Sequence, residues 1–398
     1  MRNCEQCKVL PPLGLLPHLK YLELVDLSAL EYMQESSPEM SFFPALEILR
    51  LYKLRNVKGW LKDVTAEQDL SFLHLSELIV SCCHNLISLP LSGHRYLKSL
   101  ALPSSPYLSE LYITDCASLT SLELNPSPYL SKLHICDCPN LTISELPSFP
   151  RLEEVHLSYV SEELVQQLMC TSSSLKSLKI QWVVNLISLS EDELQHLTSL
   201  QHLVIYGCHS LMSLSQVTQH LIALEKLEIL HCRGLLLSDK GDDADDDLQF
   251  QELRSLRELV IKDVPKLVSL PKWLKHVTTL KTLTICDCSG LATLRNWIGS
   301  LISLTQLQIS GFPKLKSLPE EMCLLSTLQK LKICDCSGLA TLPDWIGSLM
   351  SLTQLQISGC PKLKSLPEEM HLRSTLQQLK INNCPLLSKR CQKETGED

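Results

Sequence analysis

Between Leu280 and Thr375 the apolar residues fall on a fixed grid. Read in rows of 24, the segment gives LKTLTICDCSGLATLRNWIGSLIS, LTQLQISGFPKLKSLPEEMCLLST, LQKLKICDCSGLATLPDWIGSLMS and LTQLQISGCPKLKSLPEEMHLRST; rows one and three and rows two and four differ at only nine of 48 positions. With the first Leu of a row as slot i, apolar residues recur at i, i+3, i+5, i+8, i+11 and i+14, usually with Pro at i+15. Slots i+3 and i+5 share one face of an extended chain, because side chains alternate along a strand. The pattern predicts a short strand in every row, facing the core at i+3 and i+5 and the surface at i+2, i+4 and i+6. A single row cannot bury its leucines alone. Rows stacked at about 4.8 Å, the spacing between strands, bury one continuous core.

The grid runs almost the whole chain. Rows begin at Leu19, Leu46, Leu75, Leu108, Leu130, Leu152, Leu175, Leu200, Leu224, Leu256, Leu280, Leu304, Leu328, Leu352 and Leu376. This is leucine-rich-repeat spacing, and it predicts an α/β fold: a solenoid, or curved horseshoe, with a concave parallel β-sheet and short helices, 3-10 turns and loops on the convex side. Residues 1–398 read as a single array of about 15 rows. It starts in mid-repeat, since Cys4, Cys7, Leu10 and Pro11 fit slots i+8, i+11, i+14 and i+15 of a row whose strand would precede Met1. An acidic loop insertion is expected at 239–247, an irregular insertion at 90–107, where Leu97, Leu100 and Leu102 imitate a row start, and a polar tail at 388–398.

Charge and cysteine usage narrow the class. The net charge is −8 with acids and bases interspersed, whereas a general nucleic-acid binder carries a basic excess. No run of 18 uncharged apolar residues occurs, and the first residues lack the continuous apolar stretch of a signal peptide. The expectation is a protein without a membrane span, cytoplasmic or nuclear. Of 18 cysteines, ten occupy slot i+8: Cys4, Cys83, Cys116, Cys138, Cys208, Cys232, Cys288, Cys336, Cys360 and Cys384. Such a column predicts small buried side chains with weak S–H donors, kept as free thiols in a reducing compartment. The aspartates within SDKGDDADDD do not make an EF-hand loop, which needs Gly at its sixth position and Glu at its twelfth; counted from Asp243 these are Leu248 and Arg254.

The chemistry the chain can offer lies on the surface-facing strand slots. Down slot i+4 stand Tyr112, His134, His156, Lys179 and Lys332, and slots i+2 and i+6 add His202, Tyr206 and Lys330. Exposed aromatic residues are favoured anchors at interfaces, so these eight residues form the candidate protein-binding concave face. His134, His156 and His202 read as surface histidines rather than metal ligands, and the CDC pairs at Cys136, Cys286 and Cys334 place their two thiols in different environments, whereas zinc needs four ligands converging on one point. No nucleophile, base and orienting acid assemble, so no catalytic residue, cofactor site or metal site is predicted.

The opening CEQCKVLPPLGLLPHLKYLEL, the segment FFPALEILRLYKLRNVKGW, the LPEEM and LPDWIGSL rows and the closing CPLLSKRCQKETGED together resemble the C-terminal leucine-rich-repeat region of plant nucleotide-binding leucine-rich-repeat disease resistance proteins of the coiled-coil type. The resemblance covers essentially the whole chain. It implies a recognition and self-restraint role in an intracellular immune receptor, with a pathogen effector, a guarded host protein or the receptor's own nucleotide-binding domain as protein partners. That domain's P-loop, GxxxxGK[ST], has no counterpart in this sequence, so no nucleotide cofactor is implied for any residue here. The substrate-recognition arm of a ubiquitin ligase carries similar cysteine-bearing repeats and is the alternative, though it would need an F-box helix set upstream.

Overall fold

The structure is a computed structural model. It describes residues 1–4, 6–34, 43–57, 59–61, 74, 76–81, 99–101, 108–116, 120–124, 128–143, 146–214, 217–236, 253–367, 370 and 375–390. The expected acidic insertion at 239–247, most of the segment 90–107 and the last eight residues of the tail lie outside this set. Two compact units are present: Met1–Asn185 with Asp192–Ser199, and Leu186–Glu191 with Leu200–Asp398.

Every row of the grid contributes a strand that opens two residues past its slot-i leucine. In the first unit these are Tyr21–Val25, Ile48–Tyr52, Glu77–Ser81, Glu110–Thr114, Lys132–Cys136, Glu154–Ser158 and Ser177–Gln181. In the second they are His202–Tyr206, Lys226–Leu230, Glu258–Lys262, Thr282–Cys286, Gln306–Ser310, Lys330–Cys334, Gln354–Ser358 and Gln378–Asn382. Within each unit consecutive rows pair in parallel and in register, so that each slot faces the same slot in the next row. Burial alternates as predicted: Leu133, Ile135, Leu283 and Ile285 are fully enclosed while the residues between them are not. The last strand is the exception: Leu379 is exposed and Ile381 only half-buried. The chain is a leucine-rich-repeat solenoid.

The strand exit is more regular than the leucine pattern suggests. Slot i+7 takes a positive φ in row after row, among them Asp26, Asp115, Asp137, Gly207, Asp263, Asp287, Gly311, Asp335, Gly359 and Asn383. This left-handed conformation turns the chain off the sheet and aims the N–H of slot i+7 at a carbonyl of the next row, as in Asp137 N to Ser158 O (2.8 Å) and Asp287 N to Ser310 O (2.8 Å). Gly, Asn and Asp tolerate it best. At Gly311 a glycine is required on two counts, because φ is +73° and a Cβ would come within 2.5 Å of the Asp287 carboxylate.

The cysteine of slot i+8 follows. Cys138, Cys208, Cys232, Cys288, Cys336 and Cys360 are fully buried, and each thiol donates to the carbonyl of slot i+6, at 3.2 Å for Cys336 and 3.3 Å for Cys288. Cys4 departs from the expectation. It is exposed, in a segment that meets the sheet through the bridge between Arg2 and Val25 and the pairing of Arg2 with Glu23. Cys83 lies outside the described residues.

The return segments differ between the units. In the second, Pro271, Pro319 and Pro343 hold extended backbone ahead of 3-10 turns at Lys272–His276, Glu320–Leu324 and Asp344–Ser348, with Arg295 doing the same before Asn296–Ser300. Trp273 and Trp345 of these turns are buried, which makes them packing residues. In the first unit, rows of unequal length return instead through short parallel strands, Tyr32–Gln34 with Gly59–Leu61 and Ser99–Ala101 with Ser121–Glu123. The segment 90–107 is therefore not wholly irregular, since Ser99–Ala101 is paired. The longest helix among the described residues, Glu162–Thr171, starts at Ser161, whose Oγ accepts from Leu164 N, and carries Glu162 and Glu163 in its first turn, where a negative charge suits the helix dipole. Among the described residues no helix is long and apolar enough to cross a membrane.

Candidate protein-binding faces of the sheet

In the first unit, parallel register puts Tyr112, His134, His156 and Lys179 in one rank on adjacent strands. The Tyr112 and His134 rings lie 4.5 Å apart, and His134 meets His156 edge-on at 5.5 Å. A row of carboxylates and amides flanks them. Tyr112 Oη donates to Glu110 Oε2 (3.0 Å), Lys132 Nζ pairs with Glu110 Oε1 (2.8 Å), and His156 Nε2 lies 2.9 Å from Gln181 Oε1. His134 Nε2 is enclosed without a hydrogen bond, 3.6 Å from Glu154 Oε1.

Burial dominates the electrostatics of this rank. It holds both imidazoles below the ordinary histidine range, against the pull of Glu154 on His134 and the hydrogen bond of Gln181 to His156. Burial, followed by the bond to Glu110, pushes the Tyr112 phenol up, while hydrogen bonding to Lys132 holds Glu110 down. At neutral pH the centre of the face is therefore an uncharged aromatic and imidazole surface beside the ion pair of Glu110 and Lys132. Further along the same unit the pattern repeats: Arg50 pairs with Glu77 (2.6 Å) and lies 5.5 Å from the Tyr21 ring centre, and Arg2 pairs with Glu23 (2.6 Å).

The remaining predicted residues fall in the second unit and do not form one patch there. Tyr206 packs its ring 5.0 Å from His231, whose Nδ1 lies 2.9 Å from Asp263 Oδ2. His202 is exposed in register with Lys226, which pairs with Glu228 (2.8 Å) and Glu258 (3.1 Å). Lys330 and Lys332 stand well apart from Tyr206 in a shallow groove of about 150 Å³, which also takes in Thr282, Gln308, Gln356 and Lys380. Glu110, Glu154, Gln181, His231 and Asp263 were not foreseen as parts of these faces. Their signal was in the sequence all the same: Glu110, Lys132 and Glu154 alternate in sign down slot i+2, and stacked rows bring that column together.

Among the described residues no group of three His, Cys, Asp or Glu side chains is placed to hold a metal ion. The described cysteines are free thiols. Burial pushes those of Cys232 and Cys360 up to about 11 and those of Cys288 and Cys336 up to about 12, so they are protonated and unreactive inside the fold. Cys138 goes the other way, held down by hydrogen bonding from Cys116.

Residues 313–384 match the family model described as R13L1/DRL21 LRRs. Disease resistance proteins RGA4 and RGA1 of Solanum bulbocastanum are 34% identical over 104 residues and 37% identical over 99 residues. The matched segments are similar to leucine-rich repeats of plant disease-resistance proteins. Each alignment spans 25% of this chain and 10% of the relative, so the similarity covers a small part of those proteins. Among solved structures, a leucine-rich-repeat protein of Leptospira interrogans superposes over 94% of this chain and 92% of its own, with a TM-score of 0.50 and 19% identity, a likeness of fold alone.

Proposed function

We propose that the disease-resistance repeats of this chain form the recognition and autoregulatory region of an intracellular plant immune receptor. In this reading the chain is a non-catalytic scaffold in the cytoplasm or nucleus. It binds a pathogen effector or a guarded host protein, and it restrains a nucleotide-binding switch domain that lies outside these residues. The observation that carries the reading is the rank of Tyr112, His134 and His156, three ring side chains on adjacent strands of an otherwise polar sheet face, in a chain whose residues 313–384 match the R13L1/DRL21 repeats. Flat, amphipathic rings with few rotatable bonds supply contact area at low entropic cost, which suits an interface centre. Ligand binding would act by shifting the balance between restrained and active states.

The test is a receptor in which this chain is joined to the switch portion of RGA4 and expressed in leaf tissue. The fusion should be quiet alone and should trigger cell death when the pathogen is supplied. Replacing Tyr112, His134 and His156 by Ala should abolish the triggered response while preserving the quiet state. A triple variant that responds like the parent rejects this face, and a fusion that kills without a pathogen rejects the restraint.

A further inference from the structure

We infer that the sheet face from Thr282 to Asn382 is a docking site for an acidic, extended polypeptide segment. The inference rests on reading the sheet as a protein-recognition surface and adds the chemistry of the partner. Five adjacent strands, TLTIC, QLQIS, KLKIC, QLQIS and QLKIN, present hydroxyls, amides and three lysines, with Cys286 and Cys334 buried and no carboxylate at any position. Among the described residues Lys330, Lys332 and Lys380 make no ion pair, unlike Lys132 and Lys226 on other rows. The carboxylates in these rows begin at the turn, with Asp287 and Asp335 past the strand ends.

Position strengthens the charge argument. Lys332 is half-buried in register between Gln308 and Gln356, and the next strand brings Lys380 beside Gln356. A half-buried lysine lays its stem along the sheet and holds its ammonium above it, where an incoming carboxylate can form a charge-assisted hydrogen bond. Lys332 and Lys380 lie two strands apart, about 9.6 Å, and Lys330 lies about 6.8 Å from Lys332 along its strand. Side chains on one face of an extended peptide also repeat at about 6.8 Å, so two or three acidic residues of one segment can reach all three lysines. The glutamines complete the match, because each amide both donates and accepts and can pair with a peptide backbone laid along the groove. A nucleic acid would call for stacking rings or guanidinium planes, and these strands carry no aromatic residue and no arginine.

The experiment uses the full chain and a fluorescein-labelled Glu-Thr repeat peptide, read by fluorescence anisotropy at low and at physiological salt. Binding should weaken as salt rises. A Gln-Thr peptide should not bind, and the K330Q/K332Q/K380Q variant should lose at least tenfold in affinity with an unchanged circular-dichroism spectrum. A second variant, Lys332→Met, keeps the fold and volume and should lose several-fold alone. Failure of the parent chain to bind the acidic peptide, or equal binding by the lysine variants, overturns the inference. So does a single-stranded oligonucleotide that displaces the peptide at lower concentration. Retained peptide binding in the Y112A/H134A/H156A variant is expected, so a failure of the first-unit face leaves this result standing, and loss of the peptide result leaves the leaf assay standing.

Discussion

The sheet faces of the two units are built on one framework and arrive at opposite electrostatic solutions. On Glu110–Thr114, Lys132–Cys136 and Glu154–Ser158 the charges alternate in sign, with Lys132 paired to Glu110 and in register with Glu154, and the centre is aromatic. On Gln306–Ser310, Lys330–Cys334 and Gln354–Ser358 the centre is amide and ammonium, and the lysines have no carboxylate beside them. Beneath both lie enclosed aliphatic residues at i+3 and i+5, Leu and Ile in every one of these strands but Glu154–Ser158, which has Val155 and Leu157. The framework therefore sets where side chains go, and slots i+2, i+4 and i+6 decide what they meet there. A face of matched charges and rings is finished before any partner arrives. A face with uncompensated cations is completed by one.

If the framework is shared, damage to it must be indifferent to the face above. Leu133→Ala in the first unit and Leu331→Ala in the second each empty a fully enclosed position, and each should cost about 2–5 kcal/mol, the range for large-to-small changes in a packed core. Urea denaturation followed by circular dichroism reads both. A large loss in one unit and none in the other would break the premise of a common scaffold.

The strand exit offers a smaller and more local test. Gly311→Ala introduces both a disfavoured φ and a collision with the Asp287 carboxylate, and should cost about 1–3 kcal/mol. Adding Asp287→Gly removes the carboxylate, though not the Asp287 Cα and N that lie 3.0 and 3.1 Å from the same Cβ, and should recover part of the loss, leaving about 1–2 kcal/mol for those contacts and the left-handed backbone. No recovery in the double variant would show that the strain lies elsewhere.

The strands and their register were legible because Leu and Ile at i+3 and i+5 can be buried in only one way once rows stack. The i+7 turn was legible in part. Asp and Gly at Asp137, Asp263 and Gly311 are the residues that tolerate a left-handed backbone, but Lys53, Tyr159 and Trp182 adopt it too, under tertiary constraint, with the Tyr159 and Trp182 rings stacked 5.7 Å apart. The paired return strand Ser99–Ala101 was missed because in rows of unequal length no fixed slot aligns it with Ser121–Glu123. Membership of slot i+4 predicted that Tyr112, His134 and His156 share a rank. That Tyr206 would turn to His231 instead depends on rotamers and on a neighbour at i+7, which a column of single slots does not carry.

Proton uptake separates the faces next. Burial lowers the native-state affinity of His134 and His156 for protons below that of free imidazole, near 6.5. As pH falls below that value, the unfolded chain takes up protons that the native rank refuses. Their contribution to stability is therefore complete above about pH 6.5 and declines as pH drops toward their depressed native values, where it levels off. Around them Glu154 favours the charged form of His134, while Lys132 and Lys179 oppose protonation of His134 and His156 respectively. Urea midpoints between pH 7.5 and 5.5 should fall for the parent chain and fall less for H134Q/H156Q. The K330Q/K332Q/K380Q chain should keep the parental slope, and an altered slope there would place the sensitivity in the wrong unit.

The smallest effect is the one that brings the faces closest together. Glu110→Gln keeps the shape of the side chain and its contact with Tyr112 Oη but removes the charge that Lys132 meets at 2.8 Å. The pair is partly exposed, so its loss should change stability by less than about 1 kcal/mol. Its electrostatic consequence is larger than its energetic one, since Lys132 then stands on the sheet much as Lys332 does in the second unit. Glu154 remains on the next strand and still acts on both Lys132 and His134, so the conversion is partial. In the K330Q/K332Q/K380Q background, Glu110→Gln should restore weak, salt-sensitive binding of the Glu-Thr peptide, and Glu154→Gln added to it should strengthen that binding. A doubly substituted first face that still ignores the peptide would mean that uncompensated lysines are not enough, and that the amides of Gln308 and Gln356 do as much of the holding as the charge.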